Sequence, residues 1–470
     1  MSIRILQGDC IEVMKTLDAN SIDAIVTDPP YGLGFMGKEW DTFTAADVPM
    51  RRNPQMDAVN TGASKQGGRQ RAGADYQKRQ ARDMRAFQEW CEQWAAECLR
   101  VLKPGGHLLA FSGTRTQHRM VCAIEDAGFE IRDQAGWMYG SGFPKSMDVS
   151  KAIDKAARGV PQGGADPTSA NHGKFKGGCG EDNQSGRGFG AGPGQFMAAP
   201  GVSIERELVP VAEVWKGWGT ALKPAWEPIC VARKPLIGTV AANVLKHGTG
   251  AINIGGCRVD GWVTTNPLVR NAPGFQSNGL ANQGETGGGR TSEGRWPANL
   301  LHDGSDEVVA LFPQSDGQSG AVTGNEPSSK TNAVYGDFNG RPTSVPRLDS
   351  GSAARFFWCP KTSSADRHDG LRHPGPQFTS GSILRDAENL AKKGNHHPTV
   401  KPTELMRYLC RLVTPPGGTV LDPFMGSGST LKAAEIEGFN AIGIELDPGY
   451  IEIAKRRIAA DAPLFADVQT

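Results

Sequence analysis

The sequence predicts an α/β fold whose single parallel sheet is assembled from the two ends of the chain around a long, loop-rich middle. Three observations carry that prediction. Short apolar runs alternate with amphipathic stretches over the first 145 residues, and the same alternation resumes near residue 395. Between the two, apolar runs are short and Gly, Pro, Ser and Asn dominate. Alternating strands and helices build parallel sheets, because a parallel strand pair needs a crossover connection.

Taken in order, Ile3 to Leu6 and Ile22 to Val26 read as buried strands, with a helix from Ile11 to Leu17 between them. From Arg85 to Leu102 the apolar residues Phe87, Trp90, Cys91, Trp94, Ala95, Cys98, Leu99, Val101 and Leu102 follow the i, i+3, i+4, i+7 spacing of one helix face. Lys103-Pro104-Gly105-Gly106 is expected to stop that helix. His107 to Phe111 and Phe129 to Tyr139 read as strands flanking a helix near Thr116 to Ala127. Ala225 to Val231, within a core segment at 225–233, reads as a strand returning to the core. The C-terminal part then predicts a helix over Thr403 to Val413, a strand over Thr419 to Leu421, a helix after Gly428, a strand over Ala441 to Ile444 and a helix over Pro448 to Ala459.

These boundaries divide the chain into an ordered half at 1–145, an insertion at 146–394, a second ordered half at 395–460 and a tail at 461–470. The 61 Gly and 31 Pro make up about a fifth of the residues, against about 12% in average proteins, and concentrate in the insertion. A net charge of +1 means that any affinity for a polyanion must come from local patches. One such patch is the loop at 51–82, where Arg51, Arg52, Lys65, Arg69, Arg71, Lys78, Arg79 and Arg82 face only Asp57 and Asp75. No apolar stretch reaches the roughly 20 residues that span a bilayer, and Met1-Ser2-Ile3-Arg4-Ile5 lacks a signal-peptide pattern, so no membrane partner and a cytoplasmic location are expected. The nine cysteines are scattered without a Cys-x-x-Cys pair. They read as reduced thiols, and neither a disulfide framework nor a metal site is expected, His396-His397 included.

Four apolar runs each stop on or just before a carboxylate: Asp9, Asp28, Asp422 and Glu445. Ligands of open α/β sheets bind outside the carboxyl ends of the strands, so four acids in that relative position are expected to line one cleft. The stretch Asp422-Pro423-Phe424-Met425-Gly426-Ser427-Gly428-Ser429-Thr430 is a strand end, a glycine turn and a helix start. Gly426 and Gly428 let backbone approach a ligand, while Ser429 or Thr430 caps the helix. It matches neither the dinucleotide fingerprint nor the phosphate-binding P-loop. In Thr27-Asp28-Pro29-Pro30-Tyr31-Gly32, two prolines fix the direction of two carbonyls. The Asp28 carboxylate and the Pro29 carbonyl would accept the two hydrogens of an amino group on a planar base, with the Tyr31 ring as stacking platform.

Asp28-Pro29-Pro30-Tyr31, followed late in the chain by His397-Pro398-Thr399-Val400-Lys401-Pro402 and then by the glycine turn, resembles the β group of DNA amino-methyltransferases. The resemblance covers roughly residues 1–145, 220–235 and 395–460. It implies a Rossmann-like class I methyltransferase fold, circularly permuted, with the strand ending at Glu445 beside the one ending at Asp9, and a loop-rich inserted target-recognition region. It also implies S-adenosylmethionine as cofactor: Asp422 and Phe424, Gly426, Ser427, Gly428, Ser429 and Thr430 at its methionine end, Glu445 on the ribose, Asp9 with Cys10 at the adenine, and Thr399 and Lys401 in the lead-in. Asp28, Pro29, Pro30 and Tyr31 become the catalytic element.

An amino nitrogen on a base is a poor nucleophile because its lone pair is delocalised into the ring. Hydrogen bonds to Asp28 and the Pro29 carbonyl would favour a pyramidal nitrogen that attacks the sulfonium methyl in line, without a covalent intermediate. The base must first leave the duplex, which costs a few kcal/mol. The basic loop at 51–82 would contact phosphates. Trp215-Lys216-Gly217-Trp218, Arg295-Trp296 and Arg355-Phe356-Phe357-Trp358 would either contact bases or form small cores. The resemblance thus implies a prokaryotic or phage-encoded, site-specific methylase of double-stranded DNA, compatible with a homodimer and with a cognate restriction enzyme. Adenine N6 is the expected target, because cytosine-N4 enzymes more often carry Ser in place of Asp28. Cytosine N4 is the alternative, and an inactive DNA-binding homologue a further one. Methylation of a protein glutamine is disfavoured, since those enzymes place the glycine motif first.

Overall fold

The computed structural model describes residues 1–32, 74–142, 146–159, 207–259, 264–266, 290–292, 294–315, 331–332, 336–337, 351–360, 364–371, 394, 395, 397, 399–461 and 467–469. The chain forms two compact units, one from residues 1–140 and 226–470, the other from 141–225. The stretch expected as one insertion is therefore divided, and its part beyond residue 226 packs with the sheet-bearing unit.

That unit is built on a nine-stranded sheet. Its strands are β1 (Ser2–Gln7), β2 (Ile22–Thr27), β3 (Leu102–Phe111), β4 (Glu130–Met138), β5 (Trp226–Arg233), β6 (Leu300–His302), β7 (Thr419–Asp422), β8 (Asn440–Glu445) and β9 (Asp467–Gln469), in the spatial order β9-β1-β8-β7-β2-β3-β5-β4-β6. The expected permuted adjacency is present: β1 lies parallel to β8 with Ile3 opposite Ala441 and Gln7 opposite Glu445. On its other side β8 pairs with β7, and β7 with β2. β2 has all six residues buried, as an apolar run in a sheet covered on both faces must.

The sheet is not wholly parallel. β5 runs antiparallel between β3 and β4. The chain leaves β4 at the carboxyl end of the sheet and re-enters at Trp226 opposite Met138, so β5 can only run back down. A second difference lies at Lys103-Pro104-Gly105-Gly106, which sits inside β3, where the register slips between Ile22–Leu102 and Ala24–His107. Gly105 takes a φ of +79°, and a Cβ there would meet the Asn243 amide at 2.5 Å. Asn243 in turn donates to the carbonyl of Pro104 at 2.8 Å. The expected helix stop is thus a bulge held by a buried asparagine. The tail expected from residue 461 supplies β9, paired with β1.

The helices include α1 (Cys10–Met14), α2 (Ala74–Val101), α3 (Gln117–Asp126), α5 (Ser364–Arg367), α6 (Thr403–Val413), α7 (Ser429–Ile436) and α8 (Pro448–Asp461) in the sheet-bearing unit, and α4 (Val149–Ala157) in the other. α6 has the predicted bounds. α2 begins at Ala74 rather than Arg85, because 74–84 carries helix-forming Ala, Gln, Lys and Arg but no apolar stripe to betray them. It takes in the last residues of the expected basic loop, while 51–73 lie outside the described residues.

Alternating side chains of each strand feed two cores. On one face Ile25, Leu108 and Ala110 pack with Met14, Phe87, Trp94, Cys98 and Ile124 of α1 to α3. On the other, Val26, Leu109 and Phe111 pack with Leu405, Leu409, Leu431 and Ile458 of α6 to α8. The buried thiols belong to these cores, and burial pushes that of Cys230 up to about 12. In the 141–225 unit, α4 is capped by Asp148, whose carboxylate accepts from Lys151 N. Asp154 there pairs with Arg158 at 2.9 Å. Trp94 is fully buried and meets Phe424 edge-on at 5.6 Å, so Trp94→Ala is expected to cost about 3–5 kcal/mol, read as a lowered midpoint in chemical denaturation.

Candidate active site at the carboxyl ends of the strands

The site is fastened by Asp422 at the end of β7. Its carboxylate accepts from the Thr27 hydroxyl of β2 and the Thr430 hydroxyl of α7, both at 2.6 Å, and from Phe424 N at 3.1 Å. These bonds turn the chain sharply after β7 and set Thr27, hence Asp28, at a fixed height beside it. Burial pushes the Asp422 carboxyl up to about 6, against the three hydrogen bonds that favour its charge.

The turn that follows takes left-handed backbone at Gly426 (φ +52°) and Gly428 (φ +79°). A Cβ at Gly426 would meet His397 Nε2 at 2.6 Å, and one at Gly428 the Ala454 methyl at 2.8 Å, so both positions need glycine. Glu445, at the end of the neighbouring β8, accepts from Gly426 N at 2.9 Å and Asp447 N at 2.8 Å. Burial holds its carboxyl above the usual range. One strand further, Gly8 N donates to the Glu445 carbonyl at 3.0 Å, which places Asp9 next in line. Asp9 caps α1, accepting from Ile11 N and Glu12 N.

Several residues expected at the cofactor have side chains already engaged inside the protein. Cys10 is buried in the core, and Phe424 packs against Trp90 and Trp94 at 5.6 Å. Ser427 and Ser429 hydroxyls lie 3.1 and 3.0 Å from Arg457. These positions offer a ligand mainly backbone. Thr399 is partly exposed.

Around Asp28 the structure assembles a second cluster. The Tyr31 hydroxyl donates to Asp28 Oδ1 at 2.8 Å, and Lys401 Nζ donates to Oδ2 at 2.6 Å. The resemblance places Lys401 with the cofactor contacts; in the structure its ammonium sits on the acid of the Asp-Pro-Pro-Tyr element. Its ammonium also lies 3.4 Å from Glu227 Oε2 of β5 and 4.9 Å from the centre of the Phe111 ring. Burial alone would lower the Lys401 ammonium, yet Asp28 and Glu227 beside it hold it above the ordinary lysine range. Two carboxylates around one ammonium leave the cluster with a net charge of −1. Burial, together with the nearby Glu227 carboxylate, pushes the Tyr139 phenol up to about 12. Thr116 donates to the Tyr31 carbonyl at 2.6 Å, fixing the tetrapeptide from the α3 side. Glu227 and Tyr139 were not singled out from the sequence; the one available signal was an acid inside the apolar run of β5.

Of the aromatic and basic motifs, Trp358 stacks on Tyr408 at 4.8 Å and so belongs to a core. Trp296 is 65% exposed beneath the Arg258 guanidinium. In the 141–225 unit, Trp215 and Trp218 meet edge-on at 5.3 Å and are 40% and 60% exposed.

A largely parallel α/β sheet with one antiparallel strand, a left-handed glycine turn, and acids at four adjacent strand ends is the architecture of a class I methyltransferase. A family model described as DNA methylase matches residues 22–156 and 289–456, and the chain belongs to this N6/N4 DNA methylase family. Among curated relatives, type II methyltransferase M.HindIII of Haemophilus influenzae is 26% identical over 253 residues, 53% of this chain and 64% of that protein. Type II methyltransferase M2.DpnII of Streptococcus pneumoniae is 31% identical over 139 residues, 28% of this chain and 51% of that protein. The chain thus spans less than two thirds of the length of either. Among solved structures, PvuII DNA methyltransferase (cytosine-N4-specific) aligns with a TM-score of 0.41 at 13% identity, covering 100% of this chain and 89% of that one. The M1.HpyAVI–SAM complex aligns with a TM-score of 0.34 at 14% identity, covering 97% and 98%.

The raised Asp422 carboxyl has a measurable signature. Its folded value near 6 lies above the ordinary 3.8, so the folded protein holds this proton more tightly than the unfolded chain, and the residue's contribution to stability falls as pH rises from about 4 to about 6. Asp422→Asn lacks that titration. Relative to the parent, the variant is expected to gain about 2–3 kcal/mol between those limits, read as converging or crossing melting temperatures across a pH series.

Proposed function

We propose that the chain is a site-specific DNA methyltransferase that moves a methyl group from S-adenosylmethionine to the N6 amino group of adenine in double-stranded DNA. The observation that carries this reading is the Asp28 carboxylate, held between the Tyr31 hydroxyl and the Lys401 ammonium at 2.8 and 2.6 Å, on the strand next to the glycine turn. A carboxylate fixed from two sides has lone pairs left for an amino hydrogen, and the next residue, Pro29, carries a carbonyl whose direction its neighbours restrict.

The residues present fit the cofactor. The turn at Gly426 and Gly428 has the left-handed backbone that close approach requires, and Glu445 is fixed by two backbone N–H groups one strand from Asp9. S-adenosylmethionine supplies, when bound, a methyl group made electrophilic by its sulfonium charge. Asp28 and the Pro29 carbonyl orient the amino group and draw on its hydrogens, so that the nitrogen lone pair localises. Asp28 also stands where a proton released from the methylated nitrogen can be accepted. Tyr31, its hydroxyl anchored on Asp28 and its carbonyl on Thr116, offers its ring as a stacking surface for a base drawn out of the duplex.

Adenine is favoured by the identity of residue 28, an aspartate with two acceptor oxygens. Nucleoside analysis of DNA from cells with and without expression decides the target: N6-methyladenine is expected, and N4-methylcytosine would overturn the adenine assignment. Asp28→Ala is expected to lose at least about 10³-fold in methyl transfer while keeping S-adenosylmethionine affinity; retained activity sinks the assignment. Glu445→Ala should weaken cofactor binding about tenfold or more, and unchanged affinity by calorimetry would remove Glu445 from the site.

A further inference from the structure

Behind the glycine turn lies a cluster of charges that neither the motifs nor the proposed chemistry uses. Arg457 of α8 is fully buried, which is rare for a guanidinium without a positional task. Its Nη1 donates to the Ser427 carbonyl at 2.8 Å, the Ser427 hydroxyl at 3.1 Å and the Ser429 hydroxyl at 3.0 Å. Its Nη2 donates to the Asp366 carbonyl at 3.3 Å and lies 3.6 Å from the Asp366 carboxylate. That carboxylate also accepts from Thr403 N at 2.8 Å and the Thr403 hydroxyl at 2.6 Å, where α6 begins two residues after Lys401. Lys432 of α7, 2% exposed, lies 3.4 Å from Asp366 and 2.6 Å from Asp369. Arg367 donates to the His397 carbonyl at 2.7 Å. At Gly370 a Cβ would meet the Arg456 carbonyl at 2.3 Å, so the segment is pressed against α8.

Asp366 and Asp369, with Arg367, Lys432 and Arg457, thus join the inserted segment around α5 to the glycine turn and to the start of α6. We propose that Arg457 and Asp366 are positioning residues for the cofactor. Arg457 sets the path of the turn at 427–429, Asp366 orients Arg457 and the start of α6 together, and affinity for S-adenosylmethionine therefore depends on a side chain outside the recognised motifs. This rests on the reading that the turn holds the cofactor.

The test measures S-adenosylmethionine dissociation constants by calorimetry, well below each variant's melting temperature, beside KM for DNA and for cofactor. Arg457→Met is expected to raise the cofactor Kd about tenfold or more with KM for DNA within about threefold. Arg457→Lys, which keeps the charge but loses the fork, should recover part of the affinity. Asp366→Asn should raise the Kd less than Arg457→Met, and it carries the test if the Arg457 variants do not fold. A purely structural role would lower the melting temperature and leave the Kd of the folded protein unchanged, which overturns the proposal. If Glu445→Ala weakens binding and these variants do not, the proposal falls alone. If all of them bind as the parent does, the cofactor reading of the turn falls with it.

Discussion

Everything at the strand ends hangs from the carboxylate of Asp422. One of its oxygens takes the Thr27 hydroxyl of β2 and the other the Thr430 hydroxyl of α7, which ties the element carrying Asp28 to the element carrying the glycine turn. The first of these bonds joins residues 395 positions apart. Without it, β7 and β2 would still pair through their backbones, but the direct side-chain tie from Thr27 to the start of the turn would be lost. The cost of burying this charge is visible in its raised proton affinity, and the three donors around it offset that cost.

What the sequence made legible was whatever depends on local periodicity. β2 and β7 to β8 were readable because a strand covered on both faces must be apolar along its whole length, and α6 because Leu405, Leu409 and Val413 repeat on one face. The four strand-end acids followed from the same runs. Illegible were features decided by distant partners. β5 reads as a strand, but its direction is set by where the chain re-enters the sheet. Pro104-Gly105 reads as a terminator, and only Asn243, far along the chain, makes it a bulge. Lys401 reads as one basic residue in a proline-rich lead-in, and nothing local says that it faces Asp28 and Glu227. Arg457 reads as one charge on a terminal helix, since a helical pattern does not reveal which cation is enclosed.

The site divides its charges into two sets with different work. In front, Asp28 and Glu227 close on the single ammonium of Lys401, two carboxylates against one cation. Behind the turn, among the described residues, Asp366 and Asp369 face Lys432 and Arg457, so that the buried charges are paired as a low-dielectric interior requires. The seam between them is the turn itself, where glycine is compelled at two positions by what stands behind it.

The pairing of β1 with β8 bears on how the molecule comes into being. Asp28 and Lys401 are separated by 373 residues, and β2 has no β7 beside it until synthesis has passed Asp422. During synthesis the first strands must wait, with apolar surface uncovered on the edge that β7 and β8 will later fill, which exposes a nascent chain to aggregation and to chaperones. The same delay means that a prematurely terminated product lacks both the turn and Lys401. Assembly of the strand-end cluster is therefore a late event in biosynthesis, gained only once β7 and β8 have folded back against β2 and β1.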